Sequence, residues 1–301
     1  MNHSFVFEDA DLVTIRRAYA RQMLAVAGIA GDPALEDAFA AVPRERFLGP
    51  PPWRMVAAHG GGYRDLPSSD PVLAYQDVNF ALVAERGVNN GSPSLHARWL
   101  HHAGLKKGSR VAHIGAGTGY YTALMAHLVG PEGHVTAVEF DPALAGPARG
   151  NLAGLGNVAV VEGDGAEWPK ETVDCIYVNF LVQAPAERWI ESLAPGGRLV
   201  FPLGVPRPKP SPSGGTHTLY GAGLCIERKG AGFAARWLGP ASFVHAEGAL
   251  AGGHDETGLL KAAFERGGVE FVRSLRWNEP GVLGRCWFRG KDWSLSYDEP
   301  S

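Results

Sequence analysis

Val111-Ala112-His113-Ile114-Gly115-Ala116-Gly117-Thr118-Gly119 is the stretch whose reading decides the fold. A short, mostly apolar run is closed by a GxGxG turn, and residues 120–129 carry a helical pattern. Glycines let the chain turn sharply at a strand's carboxyl end and let a ligand approach the backbone. Further strand patterns follow at 134–139, 158–161, 173–178 and 198–202, alternating with helical stretches at 141–155 and 184–193. Strands alternating with helices predict βαβ units and a mainly parallel sheet, so the fold class is α/β and Rossmann-like.

In an open sheet of this kind, ligands settle in the crevice beyond the carboxyl ends of the strands. Glu139 ends the second strand, 24 positions after Gly115, where a carboxylate can accept hydrogen bonds from two ribose hydroxyls. Asp164, in the turn Gly163-Asp164-Gly165, ends the third on the same edge. A dinucleotide fingerprint would need glycine at 120, which is Tyr120, and no G-K-[ST] follows to make a P-loop. The glycine turn, Glu139 and Asp164 together point to a nucleoside ligand. The plainer alternative is a structural strand-to-helix turn.

Upstream, residues 8–28 read as a helix carrying Leu12, Ile15, Tyr19, Met23 and Ala27, and Asp32-Pro33 opens a second. Residues 43–92 lack periodicity, which implies a functional segment or short hidden strands. Ser92-Pro93 starts a helix to Gly104, with Ser92 as its cap. Downstream, 205–216 reads as a loop, 217–228 and 233–238 as a hairpin, 243–245 as a strand, and 255–267 as a helix. Strands are expected at 269–276 and 283–289, with Trp277, Trp287 and Trp293 as the core of this tail. The domain reading is a helical and loop-rich lid over 1–105, a nucleoside-binding core over 106–245, and an α+β extension over 246–301.

The 301 residues are 45% hydrophobic and 20% charged, which excludes disorder as the main state. A formal charge of -3 provides no global field for nucleic acid or an anionic membrane, and no [DN]PP[YF] tetrapeptide of nucleic-acid methylases occurs. The three cysteines form no CxxC, so neither a disulfide framework nor a zinc site is expected. His96, His101 and His102 lack ligand spacing, so no metal is expected. The N-terminal acids Glu8, Asp9 and Asp11 do not suit a signal peptide, and no apolar run approaches a membrane span; the expected location is cytoplasmic.

At these residues the sequence resembles the class I S-adenosylmethionine methyltransferases, and within them the protein-L-isoaspartate O-methyltransferase family. The matching pieces are AVPRERF (41–47), AYQD (74–77), SPSLHA (92–97), the glycine turn, VEFDP (138–142), GDG (163–165), LAPGGRLVFPLG (193–204) and LGPASFV (238–244). The resemblance implies that Gly115, Gly117 and Gly119 bend around the methionine moiety of S-adenosylmethionine. By the same match, Glu139 holds the ribose, Asp164 and Gly165 meet the adenine, and His96 lines the cofactor. Ser92 stands as the catalytic candidate, able to donate a hydrogen bond near the acceptor carboxylate. Asn89 and Asn90 are candidates for substrate contact, or else turn residues.

Two residues depart from the family pattern, and the stretch between Asp77 and Pro93 is longer than the family's usual spacing. His113 replaces an acidic residue two places before the first glycine, and Gly91 holds the position of the family's serine. The implied activity is carboxyl O-methylation of L-isoaspartyl residues in damaged proteins or peptides, with a protein or peptide as partner. The alternatives are another carboxylate acceptor on the same fold, or a cofactor- or peptide-binding module without turnover. A carboxylate is ionised near neutral pH, so this chemistry needs positioning rather than a general base.

Overall fold

The computed structural model describes residues 9–57, 62–209, 216–252, 256–279 and 281–300. Helix α1 (Asp9–Val26) buries Leu12, Tyr19 and Met23, and α2 (Pro33–Ala41) starts where Asp32 accepts the Leu35 N–H. The aperiodic segment contains two small antiparallel pairs, β1 (Arg54–Val56) with β2 (Tyr63–Asp65) and β3 (Ala81–Val83) with β4 (Val88–Asn89). They share a satellite core of Leu48, Trp53, Met55, Leu66, Ala74 and Phe80.

Helix α3 (Pro93–Ala103) leads into β5 (Arg110–Ile114), α4 (Tyr120–Val129), β6 (His134–Glu139), α5 (Pro142–Leu152), β7 (Val158–Glu162) and β8 (Val173–Val178). After them come α6 (Glu187–Glu191), β9 (Leu193–Pro206), β10 (Thr218–Lys229), β11 (Gly232–Pro240), α7 (Thr257–Arg266), β12 (Ser274–Trp277), β13 (Cys286–Arg289) and β14 (Trp293–Ser296). Ten of these strands form one sheet, in the order β13-β14-β12-β11-β10-β9-β8-β5-β6-β7. The segment from β9 to β7 is parallel and the rest is antiparallel. From β5 the chain moves outward through β6 and β7, then returns to β8 on the other side of β5. The order therefore reverses between β5 and β8, which is where an open α/β sheet leaves a crevice.

Alternate residues of the central strands face opposite layers. Val111, Val135, Cys175 and Tyr177 pack with α1 to α5; Ala112, Ile114, Ile176 and Val178 pack with α6 and α7. The tail read as an extension continues this sheet, with Trp287 and Trp293 buried and Trp277 only partly so.

Several local expectations are corrected. The helix expected at 184–193 is the short α6, because β9 already begins at Leu193. Residues Pro195-Gly196-Gly197 lie inside that strand at a break in its register with β8, with Gly196 at φ +76. Residues 243–245 make only isolated bridges, Leu181 with His245 and His217 with Val244. The expected strand 269–276 is a 3-10 turn, Val269–Phe271, followed by β12. Strand β14 has no counterpart in the sequence reading. Among the described residues no helix is long and apolar enough to cross a membrane.

Candidate active site

A cavity of about 250 Å³ opens at the switch point. Its floor is the glycine turn, and Glu139, Phe140, Gly163 and Gly165 line one end. Asn179 and Phe180 stand on the β8 side; Asn79, Leu82 and residues 88–92 close the lid side. Gly115 (φ +78) and Gly117 (φ +58) need their left-handed backbone, and a Cβ on Gly115 would lie 2.7 Å from the Phe180 ring. Gly119 (φ +99) is not part of the cavity wall. Its missing side chain makes room for Leu152, where a Cβ would come within 2.7 Å. That space lets α5 pack against the turn.

Glu139 is buried, and its carboxylate accepts the Gly117 N–H at 2.7 Å and the Asp141 N–H at 3.0 Å. A carboxylate has about four acceptor positions, so each oxygen keeps a lone pair for a ligand hydroxyl. Burial raises the Glu139 pKa above the ordinary carboxylate value, while the backbone donors oppose that shift.

Asp164 does not line the cavity, whereas Gly165 does. Its Oδ1 accepts the Ala166 N–H at 2.9 Å and its Oδ2 accepts the Ala249 N–H at 2.7 Å. The expected adenine carboxylate is thus held by a segment of the tail. In the same region Arg86 reaches Asp141 at 2.7 Å and Glu247 at 3.9 Å, linking the lid, the start of α5 and the tail. Phe140, half exposed, offers an apolar face at this end.

On the lid side the sequence candidates converge. Asn89 accepts the Gly91 N–H and donates to Tyr63 and the Gly87 carbonyl, which fixes the loop. Asn90 accepts the Phe80 N–H at 2.8 Å, and its buried Nδ2 has no hydrogen-bond partner among the described residues. Ser92 lines the cavity but does not cap α3 with its side chain. Its hydroxyl donates to Asp77 at 3.0 Å, and the same Asp77 oxygen accepts the Ser94 N–H at 3.1 Å. Asp77, 15 residues upstream, is the cap, and a distant capping residue leaves no local sequence signal. Gly91 (φ +73), at the position of the family's serine, leaves no room for a side chain here: a Cβ would sit 2.3 Å from His96 Nε2.

His96 is buried in the cavity wall, stacked on Tyr121 with ring centres 3.7 Å apart and bonded through Nδ1 to the Tyr177 hydroxyl at 2.8 Å. His113 lies beneath the cavity between Thr122 and Asn179. Burial holds His96 well below the ordinary imidazole range and pushes His113 down to about 3. Both are neutral in the folded protein, while unfolded imidazoles take a proton near pH 6.5. The unfolded state therefore binds more protons below that pH, and stability must fall as pH drops from about 6.5 toward 3. The expected loss approaches about 1.4 kcal/mol per pH unit for each imidazole. Urea unfolding at pH 7.5 and 5 would measure it, and an unchanged midpoint would contradict it.

The cavity fits S-adenosylmethionine on its own terms. It offers a cradle opened by Gly115 and Gly117, a carboxylate with spare lone pairs, an apolar face and, among the described residues, two buried polar atoms without hydrogen-bond partners, Asn90 Nδ2 and Asn179 Oδ1. Asn179 was absent from the sequence reading. A lone asparagine after a strand carries no periodic signal, and only the sheet order brings it beside Gly115. Among the described residues no group of three histidine, cysteine or acidic side chains is placed to hold a metal.

Residues 21–209 match the family model described as Protein-L-isoaspartate(D-aspartate) O-methyltransferase (PCMT). A protein-L-isoaspartate O-methyltransferase from Aeropyrum pernix is 34% identical over 203 residues, 66% of this chain and 70% of the relative. One from Ignicoccus hospitalis is 37% identical over 44% of this chain and 63% of the relative; one from Thermotoga maritima is 35% identical over 56% and 50%. The chain thus spans half to somewhat over two thirds of these relatives. A solved protein-L-isoaspartate O-methyltransferase superposes with a TM-score of 0.62 at 25% identity, covering 89% of this chain and 74% of the other. A Plasmodium falciparum structure of the PCMT type, in complex with S-adenosyl-L-homocysteine, superposes with a TM-score of 0.58 at 18% identity, covering 77% and 98%. That second likeness speaks to fold alone.

Fold and cavity together are those of the Rossmann-like class I methyltransferase fold. Within that class, the chain belongs to the protein-L-isoaspartate O-methyltransferase family.

Proposed function

We propose that this protein methylates the free carboxylate of L-isoaspartyl residues in damaged proteins or peptides. The observation that carries this reading is the switch-point cavity, where Glu139 and the glycine cradle face a lid built from the family's own motifs. When bound, S-adenosylmethionine supplies an electrophilic methyl group on a sulfonium. Glu139 accepts the ribose hydroxyls, and Gly115 and Gly117 let the backbone close on the methionine end. Gly165 and Phe140 border the adenine, with Asp164 bracing that end from behind. His96 stacks under the lid as an uncharged wall.

The acceptor carboxylate is ionised at neutral pH and needs no base. The lid residues Asn89, Asn90 and Ser92 hold it in place and keep bulk water away. Residues 1–105 contribute the lid and 106–245 the catalytic core, with the segment Gly248–Ala251 bracing the adenine end. The protein works on protein substrates in the cytoplasm. Methyl esters of this kind cyclise to succinimide and reopen, which returns the chain toward its normal linkage.

Ser92 has its proton committed to Asp77, so its oxygen meets the substrate only by re-pairing. Ser92→Ala is expected to lower kcat/KM by a few-fold and stability by less than about 1 kcal/mol, since Asp77 keeps the Ser94 N–H. Steady-state kinetics and thermal melting read the two effects separately.

The displaced serine favours a second reading, in which the acceptor is another carboxylate, such as a normal aspartate in a particular peptide or a small acid. Methyl transfer from labelled cofactor to an isoaspartyl peptide and its aspartyl isomer decides between them. Transfer to the isoaspartyl form alone supports the first reading, and transfer only to another acid supports the second. Cofactor binding without transfer to any acceptor supports a non-catalytic module.

A further inference from the structure

His113 stands where the family pattern has an acid, and neither the fold nor the methyl-transfer reading accounts for it. In β5 its imidazole is fully buried. Its Nδ1 lies 2.7 Å from Thr122 Oγ1 and its Nε2 lies 2.8 Å from Asn179 Nδ2. An amide nitrogen only donates, so Nε2 is the acceptor and the Nδ1 proton goes to Thr122. Asn179 directly follows β8, and its own N–H donates to the Ile114 carbonyl at 2.9 Å. The Thr122–His113–Asn179 chain therefore crosses between the two strands where the sheet order reverses. It fixes one side of the Asn179 amide and leaves the other, Oδ1, buried with no hydrogen bond among the described residues.

Asn179 forms part of the cavity wall next to the glycine turn, since a Cβ on Gly115 would stand 3.7 Å from its own Cβ. The direction of the ligand follows from the carboxylate at β6. With the ribose at Glu139 and the base toward Gly163 and Gly165, the amino-acid end of the cofactor runs the other way, over Gly115 toward β8. A buried carbonyl oxygen without a donor is matched by a charged N–H donor, and that end of the cofactor carries an ammonium.

We propose that Asn179, oriented by His113, accepts a hydrogen bond from the α-ammonium of the cofactor's methionine moiety. This rests on the S-adenosylmethionine reading above. The imidazole cannot serve directly, because its one lone pair already accepts from Asn179. The acceptor offered at this end is the neutral amide that follows β8. Asn179 touches the cofactor, and His113 is a positioning residue.

Calorimetric titration with S-adenosylhomocysteine and with its analogue lacking the α-amino group tests this without turnover. In the native protein the amino compound binds about tenfold or more tightly than the analogue, the scale of one hydrogen bond to a charged group. Asn179→Ala removes most of that preference by weakening S-adenosylhomocysteine while leaving the analogue within about twofold. Asn179→Asp, which keeps an acceptor, restores it, and His113→Ala reduces it. Equal weakening of both ligands, or none, overturns the assignment. So does a loss that discriminates against a decarboxylated analogue instead, which would place the amide the other way round. If the native protein binds S-adenosylhomocysteine but shows no preference, only this inference fails; if it binds neither ligand, the cofactor reading fails with it.

Discussion

Glu139→Ala is expected to weaken S-adenosylhomocysteine binding by about 100-fold or more while the protein stays folded. Two ribose hydroxyls on one carboxylate are two hydrogen bonds to a charged group, each contributing about 1.5–3 kcal/mol. Together they set a loss of at least about 3 kcal/mol, or two powers of ten in Kd. The fold survives because the Gly117 N–H, released from Glu139, lies on a cavity wall that water reaches. Acid has a related effect. Bound hydroxyls favour the ionised carboxylate, so binding releases a proton once the free group begins to protonate. Its raised pKa starts this loss of affinity at a higher pH than an ordinary glutamate would. Glu139→Gln, which keeps the shape and loses the charge, should show a smaller loss and a flatter pH dependence. Unchanged affinity in Glu139→Ala, with a normal melting curve, would remove the ribose assignment.

Arg44→Met is expected to cost about 3–5 kcal/mol of stability, the largest effect anticipated outside the cavity. Arg44 is an internal clamp rather than a surface charge. It is completely buried, and its guanidinium donates to the carbonyls of Ala74 at 2.9 Å, Gln76 at 2.7 Å and Val78 at 2.7 Å. It also lies 5.1 Å from the centre of the Phe80 ring and 5.9 Å from that of Tyr120. Methionine fills most of the volume but leaves three carbonyls without donors. The clamped segment holds Phe80, whose N–H holds Asn90 in the lid. The same variant should therefore lose cofactor affinity as well. Urea unfolding measures the first effect and calorimetry the second. A stability change under about 1 kcal/mol would show that the clamp is not structural.

The contrast between these two residues shows what a sequence can convey. The parallel core was legible because β5 to β8 are short buried runs separated by helices and glycine turns, signals that repeat at fixed periods. Glu139 was legible because strand ends in such a sheet share one edge, so spacing alone places it. Arg44, Asp77 and Asn179 act through partners that are distant in sequence or pure backbone, and no local pattern marks such pairings. At Asp164 and Gly119 the structure adds neighbours that the turn motifs do not announce. Whether a turn residue meets ligand or neighbouring chain depends on what packs behind it, here Ala249 and Leu152. In sequence the tail reads as an α+β extension, and its continuation of the main sheet depends on registers between β11 and β12 that only the folded chain reveals.

A calorimetric titration of the 301-residue protein with S-adenosylhomocysteine, run beside an identical titration with NAD, tests the cofactor site most directly. One site for S-adenosylhomocysteine, strongly weakened by Glu139→Ala, and no saturable heat with NAD are expected. Saturable NAD binding, or silence toward S-adenosylhomocysteine, would contradict the cofactor assignment.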